Sequence, residues 1–173
     1  VVALDTETGE TVWEQSLDGR TVAAPTVADE SVVVADETGT VRALDAASGD
    51  ERWHATVATR VQQSVAVDDG VAIVAHETGV ASLSLGDGGE RWTTDLGGDP
   101  TAPILTDDAV LVGTGRDVVA LARADGTERW RVSTRERSYT DVFLGGVTGS
   151  PVAVDGTVLV ATQAGDVYAL DDG

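Results

Sequence analysis

The stretch VVALDTETGETVW, residues 1–13, is written four times in this chain of 173 residues. It returns as VRALDAASGDERW (41–53), VASLSLGDGGERW (80–92) and VVALARADGTERW (118–130), and a shortened copy, VYALDDG, occupies 167–173. In each full copy a Gly follows the Leu by five residues (Gly9, Gly49, Gly88, Gly126) and a Trp by nine (Trp13, Trp53, Trp92, Trp130). Successive Leu landmarks (Leu4, Leu44, Leu83, Leu121, Leu170) lie 40, 39, 38 and 49 residues apart. A period near 40 in β-rich sequence indicates propeller blades rather than helical repeats.

Strand chemistry surrounds the phrase. SVVVA, GVAIVA, AVLVG and TVLVA are Val-rich runs, punctuated by Asp-Gly and Glu-Thr-Gly turns, and no stretch sustains a helical period beyond two turns. Each repeat therefore divides into four strands. A short one follows a Pro (Pro25, Pro103, Pro151, with Ser64 at that position in the remaining copy), then come the Val run, the V-x-x-L segment and the Trp strand. A residue without an N–H suits an edge strand, so the first strand is placed innermost, along the central channel. The Gly of the phrase falls in the third-to-fourth-strand hairpin, where a positive φ costs it little. The fold class is all-β: a β-propeller of four-stranded antiparallel blades. Residues 1–17 read as the end of a blade, 22–57, 61–95 and 100–133 as blades, 134–148 as an inserted inter-blade loop and 149–173 as an incomplete blade. Residues 1–5 and 166–171 would both be third strands, which argues for part of a larger ring of seven or eight blades.

The long final spacing comes from 134–148, which holds Arg135, Arg137, Tyr139 and Phe143, the last being the only Phe. A loop that outgrows its counterparts in an array is a usual carrier of function, and Arg with aromatics suits contact with a partner. The bland alternative is a linker packed on its own sheet. Gln62 and Gln63 replace the small residues of other copies at the start of a first strand and become candidates for the channel mouth.

Thirty acidic residues stand against eleven basic ones, all Arg, for a formal net charge of −19. The acids are spread through the turns of a 42% apolar chain, which describes a folded, acidic surface rather than a disordered tail. The pattern resembles proteins adapted to concentrated salt, where self-repulsion is screened. Such a surface repels phosphate backbones, so no nucleic acid is expected as a partner. No apolar run reaches the roughly 20 residues that cross a bilayer, and no membrane span is expected in this piece.

The phrase L-D-x-x-x-G-x-x-x-W, preceded by a Val strand, resembles the repeat of the pyrrolo-quinoline quinone (PQQ)-like β-propeller family over essentially the whole chain. That resemblance implies that Trp13, Trp53, Trp92 and Trp130, with Gly9, Gly49, Gly88 and Gly126, dock neighbouring blades. It also implies an extracytoplasmic or cell-surface location. The Asp after Leu is kept at Asp5, Asp45 and Asp171 but is Ser84 and Ala122 elsewhere. Quinone dehydrogenases of the family use calcium held partly by Asn, a Cys pair and a catalytic Asp, and this chain has neither Asn nor Cys. The sequence resembles more closely the non-enzymatic branch that includes the outer-membrane assembly lipoprotein.

Searching for chemistry adds little. His54 and His76 lack a second ligand at metal spacing and read as surface or turn residues. There is no G-x-S-x-G elbow, and the Gly pair of GTGRD joins two strands rather than opening a helix. Acidic turns lack the alternating spacing of a calcium loop. No catalytic residue, metal site or cofactor is assigned; PQQ with calcium enters only if the chain is part of a quinone-dependent dehydrogenase. The reading is a non-catalytic binding or scaffold module of the cell envelope, with a protein or small ligand as partner and the remaining propeller blades as neighbours. The alternatives are that dehydrogenase and a sensor or adaptor domain of a signalling protein.

Overall fold

In the structure, a computed structural model, residues 1–58, 60–135, 137–139 and 142–171 are described. All the described regular structure is β. The first sheet pairs β1 (Val2–Leu4) with β2 (Thr11–Glu14). Three complete sheets follow. The first holds β3 (Thr26–Ala28), β4 (Ser31–Ala35), β5 (Thr40–Asp45) and β6 (Glu51–Thr56). The next holds β7 (Ala66–Asp68), β8 (Val71–His76), β9 (Gly79–Ser84) and β10 (Glu90–Asp95). The third holds β11 (Ile104–Leu105), β12 (Ala109–Thr114), β13 (Asp117–Ala122) and β14 (Glu128–Ser133). A separate hairpin, β15 (Arg137–Tyr139) and β16 (Val142–Leu144), precedes a three-stranded sheet of β17 (Val152–Val154), β18 (Thr157–Ala161) and β19 (Val167–Asp171). Every pairing is antiparallel between consecutive strands, so each sheet is a meander.

The second strands of the three complete sheets are buried on both faces, which is why they read as continuous Val runs rather than alternating ones. Alternate residues of each run face opposite neighbours. Val32, Val34 and Leu44 pack back against Trp13 of the first sheet. Val33, Val41, Ala43 and Trp53 pack forward onto Ala72, Val74, Ala81 and Leu83 of the next sheet. The arrangement repeats where Ile73, Val80 and Trp92 meet Val110, Val112 and Leu121. The core is therefore a series of slabs between stacked sheets, not one central globule. The inner strands β3, β7 and β11 approach one another along the channel, and Thr26 Oγ1 donates 2.6 Å to Val65 O.

Two features differ from expectation. Thr26, Ala66, Ile104 and Val152 face equivalent residues of their second strands (Val33, Ile73, Leu111, Leu159), so the residue opposite the prolines is Val65, not Ser64. The tight His76–Gly79 turn of the second complete sheet shifts the count from the Leu landmark by one. The loop at 134–148 contains a hairpin, which brings the described strands to nineteen.

Candidate functional site: the blade interfaces and the inserted hairpin

Each of the first three Trp side chains leans out of a fourth strand and bonds to the next sheet. Trp13 Nε1 donates to Ala46 O at 3.0 Å, Trp53 Nε1 to Leu85 O at 2.7 Å and Trp92 Nε1 to Arg123 O at 3.0 Å. All three acceptors sit two residues after a landmark Leu, so the repeat supplies donor and acceptor at a fixed offset. Burying an indole brings a large apolar gain and needs a partner for its N–H. The Gly of the following repeat completes the seat. A Cβ on Gly49 would lie 2.6 Å from Trp13 Cε3, and one on Gly88 would lie 2.6 Å from Trp53 Cε3. These glycines also have φ of 77° and 73°, so turn geometry and indole contact both exclude a side chain. Trp130 is only half-buried; the residue at the acceptor offset from Leu170 is 172, outside the described residues.

The turn that carries this Gly is closed by backbone alone. Gly9 N donates to Asp5 O, Gly49 N to Asp45 O, Gly88 N to Ser84 O and Gly126 N to Ala122 O, all at 2.8–2.9 Å. That is why Ser84 and Ala122 are tolerated. Where Asp is present its carboxylate adds bonds: Asp45 Oδ1 accepts from Ala47 N and Ser48 N at 2.9 Å. Arg52 donates to the other Asp45 oxygen at 2.7 Å. The Arg52 guanidinium and these two amides hold the Asp45 carboxyl down at about 2.

The two ends of the stack differ in what they display. At one end lie the first-to-second and third-to-fourth turns, with clefts between adjacent sheets. One, of about 410 Å³, lies beside Trp130 between Asp108 and Asp155. Another, of about 350 Å³, holds Asp69, Arg91 and Asp108. Arginines tie this end together: Arg123 reaches back one sheet to Asp68 Oδ2 at 2.7 Å and Asp68 O at 2.8 Å, and Arg129 meets Asp108 at 2.5 Å.

At the other end lie the second-to-third turns and the crossings between sheets. Asp36 is buried there and accepts from Thr38 N, Thr38 Oγ1 and Thr40 N at 2.8, 2.6 and 3.1 Å. Burial pushes its carboxyl up, but the Thr38 and Thr40 donors outweigh that and leave it below the usual range. His76 takes the equivalent place one sheet on. It is buried at the end of β8 and bridged to Val61, which corrects its reading as a surface or turn residue; burial pushes its imidazole down. His54 is exposed, with Nδ1 2.7 Å from Glu51 Oε1. Gln62, exposed, and Gln63, half-buried, lie on the crossing before β7 rather than in it.

The inserted hairpin is attached at this second end. At one foot Thr134 donates from N and Oγ1 to Arg116 O, both at 2.8 Å, and Arg135 N donates to the Tyr168 hydroxyl at 3.0 Å. At the other foot Val147 N donates to Gly115 O at 2.8 Å, and Gln163 N to Gly146 O at 2.9 Å. Gly146 is needed here: its φ is 121°, and a Cβ would meet Gly115 O at 2.9 Å. Between the feet, Arg137, Ser138 and Tyr139 face Leu144, Phe143 and Val142 in register. Arg137, Tyr139 and Phe143 thus share one two-stranded element, and their side chains fall outside the described residues. Arg135 is exposed at its base.

Among the described residues, no group of three or more His, Asp or Glu side chains converges in a way that could hold a metal ion. No described helix is long and apolar enough to cross a membrane.

Stacked four-stranded meanders seated on indoles define a β-propeller built from PQQ-like repeats. The chain belongs to the family whose model, described as outer membrane protein assembly factor BamB, matches residues 1–93 and 37–173. The structure is similar to that of BamB from Moraxella catarrhalis, with a TM-score of 0.80 and 20% identity, over 94% of this chain and 50% of that one. It is also similar to the computationally designed Ika4 protein (TM-score 0.75, 16% identity, 92% of this chain and 95% of that one). Quinohemoprotein alcohol dehydrogenase ADHIIG from Pseudomonas putida HK5 overlays less of it (TM-score 0.61, 24% identity, 70% of this chain and 22% of that one). The chain thus spans about half the length of the BamB chain it matches. No curated protein matches it in sequence.

Proposed function

We propose that the chain is a non-catalytic scaffold of the cell envelope that binds a protein partner through the end of the stack bearing the inserted hairpin. The observation that carries this reading is the hairpin itself. Among the described residues it is the one element that breaks the repeat, it belongs to no blade, and its feet are fixed to the turns on either side. A repeat array interrupted by one added element offers that element as a natural place for partner contact. Membership of the BamB family supports a scaffold role and an extracytoplasmic, outer-membrane-associated setting. The −19 charge suits a protein that works in concentrated salt, where long-range repulsion of an acidic partner is screened.

A photo-crosslinking residue placed at Tyr139, and at Thr8 on the opposite end as a control, tests the assignment in intact envelopes. A discrete adduct from position 139 and none from position 8 is expected; adducts from position 8 alone would move the interface to the other end. The dehydrogenase alternative is tested separately by adding PQQ and calcium to the purified protein. Stoichiometric retention of quinone with dye reduction would displace the scaffold reading.

A further inference from the structure

The triplet Glu-Arg-Trp closes the repeated phrase at 51–53, 90–92 and 128–130. In each copy the pairing of third and fourth strands breaks register at the Arg. Glu51, Glu90 and Glu128 face Leu44, Leu83 and Leu121, while Trp53, Trp92 and Trp130 face the residue just before that Leu. Arg52, Arg91 and Arg129 are therefore the extra residues of three equivalent bulges, a geometry that re-aims a side chain. Two of them are held within their own sheet. Arg52 donates to Asp45 Oδ2 at 2.7 Å and to Ser31 Oγ at 3.1 Å, and lies 3.4 Å from Glu30. Arg129 pairs with Asp108. The Arg91 guanidinium is exposed and makes no hydrogen bond or ion pair among the described residues.

The cause lies at three positions. Ser31 faces Asp45 and Val71 faces Ser84, so the counterparts of Glu30, Ser31 and Asp45 in the second complete sheet are Gly70, Val71 and Ser84. In the third sheet Asp108 stands in the place of Glu30, which is enough to hold Arg129. No carboxylate stands at any of the three places around Arg91. The Ser84 hydroxyl serves Asp87 instead: with the Gly89 amide it holds that carboxyl below its usual range, and Arg91 is a lesser influence there.

Arg91 lines the cleft of about 350 Å³ between the second and third complete sheets, with Asp69, Asp107, Asp108 and Arg123. Both bounding sheets have all four strands. Arg123 and Asp108 are already committed, to Asp68 and Arg129, and the Arg123 pair ties the two walls together. Asp69 and Asp107 are exposed, and their carboxylates accept no hydrogen bond among the described residues. One uncommitted guanidinium and two uncommitted carboxylates thus line a single concavity. We propose that this cleft binds a small zwitterion of dipeptide size, its carboxylate on Arg91 and its ammonium on Asp69 and Asp107. The guanidinium fork matches a carboxylate at two points, and the two acids repel a ligand that carries negative charge alone. The cleft lies at the end of the stack opposite the hairpin, so this site is separate from the partner surface proposed above.

The test uses alanylalanine as probe, at the lowest salt concentration that keeps the chain folded. Affinity is measured by calorimetry and the place of binding by the NMR resonance of Arg91 Nε–H. A saturable shift of that resonance is expected. Capping either charged end, as the N-acetyl dipeptide or the dipeptide amide, should weaken binding at least about tenfold. Arg91→Gln should weaken it as much, while Arg52→Gln, at the equivalent but paired position, should leave it unchanged. Ser84→Asp supplies the acceptor that Asp45 gives Arg52. It should therefore move the Arg91 resonance without ligand and weaken binding at least about tenfold. Absence of a saturable shift, equal binding of the capped dipeptides, or full binding by Arg91→Gln or Ser84→Asp would overturn the proposal. A loss in Arg52→Gln would place the ligand in another cleft and overturn it as well.

Discussion

The first sheet and the sheet formed by β7–β10 carry the same phrase in different surroundings. Gly9 and Gly88 have φ of 72° and 73°, so their turns are interchangeable. Around Gly9 a Cβ would meet nothing within 4 Å, whereas on Gly88 it would strike the Trp53 indole. Leu4 faces open space and Leu83 is buried. Local sequence builds the turn in both places, but only the neighbouring sheet converts it into a docking site. The phrase is thus half of an interface, and its energetic weight depends on what stands next to it.

The comparison can be broken most forcefully at an interior indole. Trp53→Ala removes an almost fully buried side chain from a slab with sheets on both sides, and should destabilise by about 3–5 kcal/mol in chemical denaturation. Trp130→Ala, at the half-buried end position, should cost less than half of that. Equal costs would mean that the seat on the following sheet contributes nothing. Next in size are the glycines. Gly88→Ala adds steric overlap with Trp53 to left-handed strain and should lose about 2–4 kcal/mol. Gly9→Ala carries the strain alone, about 1–2 kcal/mol. A thermal melt of the two variants separates turn geometry from indole contact, because the φ values match.

A smaller effect with the opposite sign is expected at Ser82. It occupies the position of Ala43 and Ala120, is fully buried, and its hydroxyl has no hydrogen-bond partner among the described residues. Ser82→Ala should therefore stabilise by about 1 kcal/mol; a loss of stability would show that the hydroxyl is satisfied in solution. The smallest expected effect belongs to an exposed turn. The Asp45 carboxyl is held at about 2 against an ordinary 3.8. Its ionised form therefore favours the folded state above about pH 4, and that contribution disappears as pH falls towards 2. Asp45→Asn should flatten this part of the stability–pH curve, while a substitution at Ala122, which holds the same turn position without a carboxylate, should leave it unchanged.

Much of the architecture was legible in the chain because propeller blades are written in register. The Leu, Gly and Trp landmarks place the third and fourth strands, and the Val runs place the second. The first strands were harder. Counting back from Leu83 by the 19 residues between Pro25 and Leu44 reaches Ser64, but the short His76–Gly79 turn, like the Thr114–Asp117 turn of the following sheet, gives the 18-residue spacing of Pro103 and Leu121 and makes Val65 the true counterpart. His76 misleads for a related reason. It looks like the first residue of a polar turn, yet the crossing at Val61 folds over it and buries it. At the candidate site, the surplus between Trp130 and Pro151 marks where the array is interrupted. It does not reveal that the interruption pairs with itself, because VFL and RSY are too short to announce a hairpin. The contact of Gly with Trp across sheets was not readable from spacing either, since it joins residues 34 to 36 positions apart.

The slabs of apolar side chains join each sheet only to the ones before and after it. An array coupled solely through nearest neighbours opens from its ends, so the amides of β8 and β9, with a sheet stacked on either side, should exchange with solvent last. Those of β1 and β19 should exchange first.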